Sequence, residues 1–377
     1  MLMEMTERFR TPYFLIDEKR LIRNLEILRE VKEKSGCKIL LAQKAFSMYS
    51  CYPLISEYLD GSAASGLYEA KLGKEAFGKE THVFSPAYRE DEFEEILSYA
   101  DHVVFNSPSQ INRYAARARK AGKSVGLRIN PECSTQEGHA IYDPCAPGSR
   151  LGTTLANFDE SQLKLLDGFH FHTLCEQNSD ALEITVKVFE EKFGCWLHGR
   201  KWLNLGGGHH ITREDYDRER LIAIIRRLRE TYGIEVYLEP GEAVVLNAGF
   251  LVSSVLDTMY NGRNLAILDT SAACHMPDVL EMPYRPPVSG SGEPGEKEYT
   301  VRLGGPTCLA GDVIGDYSFD RELVPGSRVV FEDMALYTMV KTNTFNGMPL
   351  PSIVYRSSNG EEHLVRSFSY EDFRSRL

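Results

Sequence analysis

A lysine placed at the end of a short apolar run is the residue of this chain that most clearly could do chemistry. The apolar run 39–42 is followed by one glutamine and then by Lys44. Such a run is typical of a strand buried on both faces of a parallel sheet. At the carboxyl end of such a strand, desolvation would lower the pKa of the amine and leave it able to form a Schiff base with an aldehyde. The simpler alternative is a lysine that extends to solvent. For Lys44 considered alone, this alternative is the better interpretation.

Glycines and an acid occupy corresponding positions after two later apolar runs. The glycine run 206–208 follows the apolar run 202–205, and three glycines let backbone N–H groups close on an anion such as a phosphate. Glu239 follows the apolar run 234–238, and a carboxylate there could keep a pyridine nitrogen protonated, which makes the ring an electron sink. The alternatives are a plain flexible turn at the glycines and a solvated turn acid at Glu239.

A histidine ends one further apolar run. His170 and His172 alternate with phenylalanines in the run 169–172, so that both would face the same side of a strand. A core histidine with satisfied hydrogen bonds is the usual interpretation, whereas a position near a barrel mouth would suit stacking or proton transfer. Taken together, a lysine, a glycine cradle, an acid and a histidine on one rim describe a pocket for pyridoxal phosphate.

A barrel would bring these positions to one rim. From residue 40 to about 245, eight short apolar runs alternate with amphipathic helical stretches, which is the span of a (β/α)8 barrel. The predicted strands are the run at Leu40 and the ranges 61–65, 82–84, 102–105, 124–129, 168–172, 202–205 and 234–238. The alternative is a doubly wound open sheet, but no Gly-x-Gly-x-x-Gly motif follows the first strand.

The pattern changes after residue 245 to apolar runs separated by turns rich in glycine and proline. Few helices intervene, which is typical of a mainly antiparallel β domain. The sequence therefore predicts an α/β protein with two domains. The TIM-type (β/α)8 barrel would occupy residues 20–245, and the β domain would combine residues 1–19, including an N-terminal strand, with residues 246–377.

The composition limits the classes of partner and the compartment. A net charge of −11 over 377 residues argues against nucleic acid and is compatible with a cationic small substrate. No apolar segment is long enough to cross a bilayer, and the N-terminus lacks a signal-peptide pattern. The eight cysteines include no Cys-x-x-Cys pair, so no metal site is indicated, and reduced thiols in the cytoplasm are expected.

Seven segments, taken in order, carry a family resemblance over nearly the whole chain. They are residues 11–12, 42–45, 169–176, 204–208, 239–242, 305–312 and 344–347. With them the chain resembles the alanine-racemase-fold pyridoxal phosphate decarboxylases, the family of ornithine, diaminopimelate and arginine decarboxylases. An ordered set of this length is far more specific than any one of its motifs.

The resemblance implies that pyridoxal 5'-phosphate is the cofactor. Lys44 would form the Schiff base with it, His172 would lie against its ring, and Glu239 would pair with its pyridine nitrogen. Backbone N–H groups of Gly207 and Gly208 would hold the phosphate.

The resemblance also implies contributions from the C-terminal part of the chain. Tyr337 would add its hydroxyl to the phosphate site. Cys308 would come from the second subunit of a homodimer and act near the α-carbon of the substrate. The active sites of the family lie at the dimer interface, so that a homodimer is implied.

One departure from the family pattern bears on the substrate. Ornithine and diaminopimelate decarboxylases have arginine as the last residue of Glu-Pro-Gly-Arg, where this chain has Glu242. The reversed charge removes a partner for a distal carboxylate and offers one to an ammonium. Asp278 matches the acid that ornithine-type enzymes place against the distal amine, and Asp312 is the nearest acid to Cys308.

The implied reaction is the α-decarboxylation of a carboxylated polyamine. Carboxyspermidine or carboxynorspermidine would give spermidine or norspermidine, with Glu242, Asp278 and Asp312 binding the amines and Cys308 or Lys44 returning the proton. The alternatives are a decarboxylase of arginine or ornithine, and a catalytically inactive relative that binds pyridoxal phosphate. The two polyamines are not ranked, because one methylene contributes only about 1–3 kcal/mol of discrimination.

Overall fold

The computed structural model describes residues 8–136 and 140–377. The chain divides into two compact units, a barrel unit of Arg23–Val244 and a sheet unit that combines Met1–Ile22 with Val245–Leu377. The predicted domain ranges, 20–245 for the barrel and 1–19 with 246–377 for the β domain, stay a prediction.

Eight parallel strands form a closed barrel in the barrel unit. Strand β1 (Tyr13–Asp17) precedes them and belongs to the sheet unit. The barrel strands are β2 (Lys38–Ala42), β3 (Gly61–Ala64), β4 (Glu80–Phe84), β5 (His102–Phe105), β6 (Ser124–Arg128), β7 (Gly168–His170), β8 (Trp202–Asn204) and β9 (Glu235–Leu238). Each strand pairs with the next in chain order, and β9 returns to β2. The predicted (β/α)8 barrel is therefore confirmed.

Helices connect most of the barrel strands. The α-helices up to residue 245 are α1 (Glu18–Ser35), α2 (Tyr52–Tyr58), α3 (Leu67–Leu72), α4 (Glu90–Tyr99), α5 (Pro108–Gln110), α6 (Ala116–Lys120), α7 (Ser179–Phe193), α8 (Arg218–Tyr232) and α9 (Glu242–Val245). Two π-helical segments, Gly73–Phe77 and Ile111–Ala115, continue α3 and join α5 to α6. Helix α8 is capped at both ends by its own sequence. The side chain of Asp217 accepts the backbone N–H of Arg220 at its start, and Gly233 ends it with a φ of 68°.

The interior of the barrel is organised around one large ring. Trp202 on β8 packs in a cluster with Leu40 and Tyr237. The two preceding strands leave room for it, because a Cβ on Gly126 or Gly168 would lie 2.3 or 2.1 Å from the indole. Side chains therefore fill the barrel, and its chemistry is confined to the rim where the strands end.

The sheet unit contains one sheet of eight strands. Its order is β13-β12-β11-β10-β1-β15-β16, and β14 pairs with β10. The further strands are β10 (Gly249–Tyr260), β11 (Asn264–Leu268), β12 (Tyr299–Gly304), β13 (Val313–Phe319), β14 (Arg328–Glu332), β15 (Ser352–Arg356) and β16 (Glu362–Arg366). All pairs are antiparallel except β1 with β15 and β11 with β12. The prediction of a mainly antiparallel β domain that includes the N-terminal strand is confirmed.

After residue 245 the described residues form three short α-helices: α10 (Ala272–His275), α11 (Asp278–Glu281) and α12 (Tyr370–Arg374). A buried apolar cluster that includes Leu251, Leu303 and Phe331 forms one core of the sheet unit. Among the helices of the described residues, we find none with the length and apolar character needed to span a bilayer.

Candidate active site

Closure of the barrel sets the first strand beside the last. Because β2 pairs with β9, the loops that leave these two strands begin next to each other at the carboxyl end of the barrel, which is where such barrels carry their chemistry. The backbone N–H of Ala42 donates to the carbonyl of Pro240 over 3.0 Å. One of these loops carries Lys44 and the other Glu239.

Lys44 is reached by solvent, yet protein groups around its amine oppose a positive charge. Desolvation is the largest of these effects and the guanidinium of Arg128 adds to it, while the carboxylates of Glu239 and Glu242 act in the opposite direction. The pKa of Lys44 is therefore lowered from its ordinary value. A lysine with a lowered pKa keeps more of its amine neutral near pH 7 and is the better nucleophile.

Glu239 is a largely buried carboxylate held by two side chains. Asn204 donates through Nδ2 to Glu239 Oε1 over 2.7 Å, and His170 Nε2 lies 3.3 Å from Oε2. Burial alone would raise the pKa of Glu239, but His170 and the Asn204 hydrogen bond lower it below its ordinary value. Because burial also lowers the pKa of His170, the pair is a neutral imidazole that donates to a carboxylate.

His172 lies just beyond β7. The strand predicted for 168–172 ends at His170, and His172 accepts at Nδ1 the backbone N–H of Gly207 over 2.9 Å. This contact assigns the ring proton to Nε2. Desolvation, followed by the charges of Lys44 and Arg128, holds the pKa of His172 well below its ordinary value. His172 is thus a neutral ring, which suits stacking better than proton donation.

The glycine run packs closely against its neighbours as well as offering amides. A Cβ on Gly207 would lie 2.5 Å from the carbonyl oxygen of Glu239, and one on Gly208, which has a φ of 82°, would lie 2.1 Å from that of Leu174. The amide of Gly207 is used by His172. Within residues 8–136 and 140–377 the amide of Gly208 has no acceptor, so that of the two predicted amides it is the one open to a phosphate.

Glu242, the first residue of α9, already has a hydrogen-bonding partner. His210 Nε2 lies 3.1 Å from Glu242 Oε2. Glu176 joins them, since one oxygen or nitrogen from each of the three residues lies within 4.8 Å of the others. Glu176 is exposed and has a φ of 52°, which is uncommon for a residue other than glycine. The three side chains concentrate negative charge that an ammonium could share.

Three of the predicted residues lie in exposed or half-buried parts of the sheet unit. Cys308 is exposed, and its backbone N–H donates to Asn346 Oδ1 over 2.9 Å. Tyr337 is half-buried, with a φ of 51°. Asp278, the first residue of α11, forms an ion pair with Lys341, which also pairs with Glu281 over 2.9 Å, so that an amine of the protein itself already lies against Asp278.

Asp312, the fourth predicted residue of the sheet unit, is buried. Its Oδ1 accepts the backbone N–H of Ala272 over 2.8 Å, and its Oδ2 accepts the hydroxyls of Ser271 and Thr307 over 2.8 and 2.7 Å. Both oxygens are therefore occupied by donors from the same unit. The structure gives Asp312 a task in holding loops together instead of an open face for a substrate amine.

The side chains at the barrel mouth fit pyridoxal phosphate. Lys44 offers a nucleophilic amine for the aldehyde, and Glu239 offers a carboxylate for the pyridine N–H. The free amide of Gly208 can meet the phosphate, and the neutral ring of His172 can lie against the cofactor ring. The ionised carboxylate of Glu239 and the neutral ring of His172 are the protonation states that suit a pyridinium ring.

Arg128 also belongs to the site, although no sequence motif named above includes it. It ends β6, its Cζ lies 4.5 Å from the ring centroid of Phe84, and it donates to the carbonyl of His172. Burial lowers the pKa of Arg128 to about 10. A charged residue at the end of an apolar strand is the signal that identified Lys44, and the same signal in the run 124–129 could have found Arg128. For His210 and Glu176 the sequence held no comparable signal.

Two groups of possible metal ligands occur among the described residues. One is the set of Glu176, His210 and Glu242, and the other is Glu80, His82 and His102 on β4 and β5. Lys38 pairs with Glu80 over 2.6 Å and would repel a cation there. That the protein needs no metal stays a prediction.

The fold and the barrel mouth define the class of pyridoxal phosphate enzymes built on a TIM-type barrel. Within this class the chain belongs to the family of pyridoxal-dependent decarboxylases. The matching family model, described as "Pyridoxal-dependent decarboxylase, C-terminal sheet domain", covers residues 17–335.

Relatives with assigned activities match the chain over nearly its whole length. A carboxynorspermidine/carboxyspermidine decarboxylase of Campylobacter jejuni is 45% identical over 98% of this chain and 99% of its own. A carboxyaminopropylagmatine decarboxylase of Synechocystis sp. is 43% identical over 97% of this chain and 95% of its own. The crystal structure of carboxynorspermidine decarboxylase from C. jejuni, complexed with norspermidine, is similar with a TM-score of 0.91 at 44% identity and covers 98% of this chain and 100% of that chain.

The lowered pKa of Glu239 predicts a pH-dependent contribution to stability. Because the folded pKa lies below the unfolded one, the ionised carboxylate stabilises the fold above the unfolded pKa of about 4.3, and this contribution is lost as the pH falls through the folded pKa. We expect Glu239→Gln to be less stable than the wild type at pH 7 by roughly 1–3 kcal/mol, with a smaller difference at pH 3.5.

Urea unfolding of the wild type and Glu239→Gln at both pH values measures this difference. Glu95→Gln, which changes an exposed residue of α4, is the matched control for removing one carboxylate. A difference between wild type and Glu239→Gln that stayed constant or grew towards low pH would contradict the lowered pKa.

Proposed function

We propose that this decarboxylase acts on a carboxylated polyamine, carboxynorspermidine or carboxyspermidine, and releases norspermidine or spermidine. The observation that carries the proposal is Glu242, a carboxylate in the position where ornithine and diaminopimelate decarboxylases have arginine. Glu242 lies with Glu176 and His210 in one group at the barrel mouth. The relative at 45% identity, which is named for these substrates, supports the same conclusion.

The residues of the barrel mouth have distinct tasks in this reaction. Bound pyridoxal phosphate supplies an electron sink for the electron pair that remains when carbon dioxide leaves. Lys44 attaches the cofactor and, because its pKa is lowered, gives up a proton at Nζ more readily than an ordinary lysine. Glu239, kept ionised by Asn204 and His170, holds the pyridine N–H. Cys308 or Lys44 returns a proton to the α-carbon.

Recognition of the polyamine depends on carboxylate–ammonium contacts. Each fully formed contact is worth roughly 1.5–3 kcal/mol as a charge-assisted hydrogen bond. Glu242 is the strongest candidate for such a contact, because its partner is the imidazole of His210 and not an ammonium that would compete with the substrate. Asp278 is a weaker candidate because Lys341 already pairs with it, and Asp312 is the weakest because its oxygens are occupied.

A second candidate substrate is carboxyaminopropylagmatine. The observation that favours it is the relative at 43% identity that is named for this substrate. Its polyamine chain would need the same carboxylates, so that Glu242 does not separate the two proposals. Arginine or ornithine as substrate, and an inactive protein that binds pyridoxal phosphate, remain as the alternatives that assays must exclude.

The enzyme is proposed to be a cytoplasmic homodimer whose active sites lie at the subunit interface. Cys308 is exposed on the single chain, as a residue delivered to the active site of another subunit would be. All eight cysteines are free thiols, which is the expected state in a reducing compartment.

Replacement of Lys44 tests the cofactor attachment. Wild-type protein incubated with pyridoxal phosphate should develop a visible absorption band, and borohydride reduction should fix the cofactor on the peptide that contains Lys44. Lys44→Ala should lose both signals, whereas Lys120→Ala, a change of an exposed lysine on α6, should keep both. A Lys44→Ala protein with the same reducible band would contradict the assignment.

Replacement of Glu242 tests polyamine recognition. Glu242→Gln should raise KM for carboxyspermidine roughly tenfold or more, because one charge-assisted contact is lost. Asp278→Asn should raise KM less, since Lys341 already pairs with Asp278 and would compete with a substrate amine. Steady-state kinetics of both variants measures the two effects. An unchanged KM for Glu242→Gln would remove its role in binding the amine.

Mixing of two inactive variants tests the shared site. Lys44→Ala and Cys308→Ala should each turn over poorly alone. After the two proteins are mixed and exchange subunits, hybrid dimers would contain one complete site, and about one quarter of the wild-type activity should return. Activity that stayed at the level of the separate variants, with subunit exchange shown by native mass spectrometry, would contradict active sites at the interface.

A further inference from the structure

The backbone of Cys308 is held by a side chain from a distant part of the sequence. Its N–H donates to Asn346 Oδ1 over 2.9 Å. Asn346 has φ 61° and ψ 16°, a left-handed conformation that asparagine and glycine tolerate better than other residues. The residue type at position 346 therefore satisfies two demands, the backbone conformation and the acceptor for the Cys308 amide.

The loop that carries Cys308 is closed by Asp312. The carboxylate of Asp312 accepts the Thr307 hydroxyl over 2.7 Å, and the backbone carbonyl of Asp312 accepts the Gly305 N–H over 2.9 Å. The backbone N–H of Asp312 donates to the carbonyl of Leu309 over 2.9 Å. A buried acid thus fixes the turn on both sides of the thiol.

The segments around Asp312 and Asn346 meet at α10. Asp312 caps the start of this helix through Ser271 and the Ala272 N–H. The amide of Asn343 donates to the carbonyl of Ala273 over 2.8 Å, and its backbone N–H donates to that of Cys274 over 2.9 Å. Three chain segments, 271–274, 305–312 and 343–346, are therefore tied into one hydrogen-bonded group that presents the Cys308 thiol at its exposed edge.

We propose that Asn346 is a positioning residue for Cys308, and that Asp312 anchors the same loop and does not bind substrate. The side-chain oxygen Oδ1 of Asn346 holds the backbone N–H of Cys308, and this sets the direction in which the thiol points. The inference rests on the proposed function, in which Cys308 acts near the α-carbon. It gives a physical task to the segment 344–347, for which the proposed reaction has no chemical role.

A matched pair of variants at position 346 separates positioning from folding. Asn346→Gly keeps the backbone conformation accessible and removes the acceptor, while Asn346→Asp keeps an oxygen at the acceptor position. With the holoenzyme and carboxyspermidine, Asn346→Gly should lower kcat roughly tenfold, with KM changed less than twofold. Asn346→Asp should restore kcat to within about threefold of the wild type.

The rate at which iodoacetamide alkylates Cys308 gives a readout that does not depend on turnover. Peptide mass spectrometry should show a rate at Cys308 that differs at least about threefold between Asn346→Gly and the wild type. The rate at Cys195, an exposed cysteine of the barrel unit, should be the same in both proteins. Asn346→Asp keeps the acceptor but adds a negative charge that disfavours the thiolate, so its rate at Cys308 should be equal to or below that of the wild type, with the rate at Cys195 unchanged.

A double variant decides whether Asn346 acts through Cys308. In the Cys308→Ala background, Asn346→Gly should cause no further loss of kcat, because residues that act through one another are not additive. An equal loss in both backgrounds, or an unchanged alkylation rate at Cys308, would overturn the inference. Full turnover by Cys308→Ala alone would overturn the role of Cys308 in the proposed function, and this inference with it; that result is distinguishable because it needs only the single variant.

Discussion

The pairing of the first barrel strand with the last is the constraint on which the site depends. The register sets Lys38 beside Tyr237 and Ile39 beside Leu238. Almost two hundred residues separate Lys44 from Glu239, and only this pairing brings the loops that carry them together. The pairing continues past the strands through the hydrogen bond from Ala42 to Pro240. The geometry of the barrel mouth is therefore a consequence of the closure of the sheet and is not a property of either loop alone.

Closure of the barrel also brings side chains of both charges to the rim. Lys44 and Arg128 bring two cationic groups to the carboxyl ends of the strands, and Glu239 and Glu242 oppose them. Desolvation lowers the pKa of Lys44, while His170 and the Asn204 hydrogen bond lower that of Glu239, so that the amine becomes more reactive and the acid stays ionised. The same barrel mouth thus prepares a nucleophile and a counter-ion for a pyridinium, which are the two groups that pyridoxal phosphate chemistry requires.

The sequence predicted the barrel because the period and spacing of its apolar runs are local properties, and it predicted Lys44 and Glu239 because both follow such runs directly. It could not predict which side chains form hydrogen bonds with the carboxylates of the site. The contacts of Asn204 with Glu239 and of His210 with Glu242 join residues far apart in sequence, and no local pattern records them. The same reason explains Asp312: its acidity suggested an amine partner, whereas its burial and hydrogen bonds tie it to Ser271 and Thr307.

Turnover of the holoenzyme with a panel of substrates shows whether Glu242 and its neighbours select a carboxylated polyamine. Carboxyspermidine, carboxynorspermidine, carboxyaminopropylagmatine, ornithine and arginine are each supplied, and the products are measured by mass spectrometry. We expect a kcat/KM for carboxyspermidine or carboxynorspermidine that exceeds those for ornithine and arginine by roughly a hundredfold or more. Comparable or higher values for ornithine or arginine, or no turnover of any carboxylated polyamine, would contradict it.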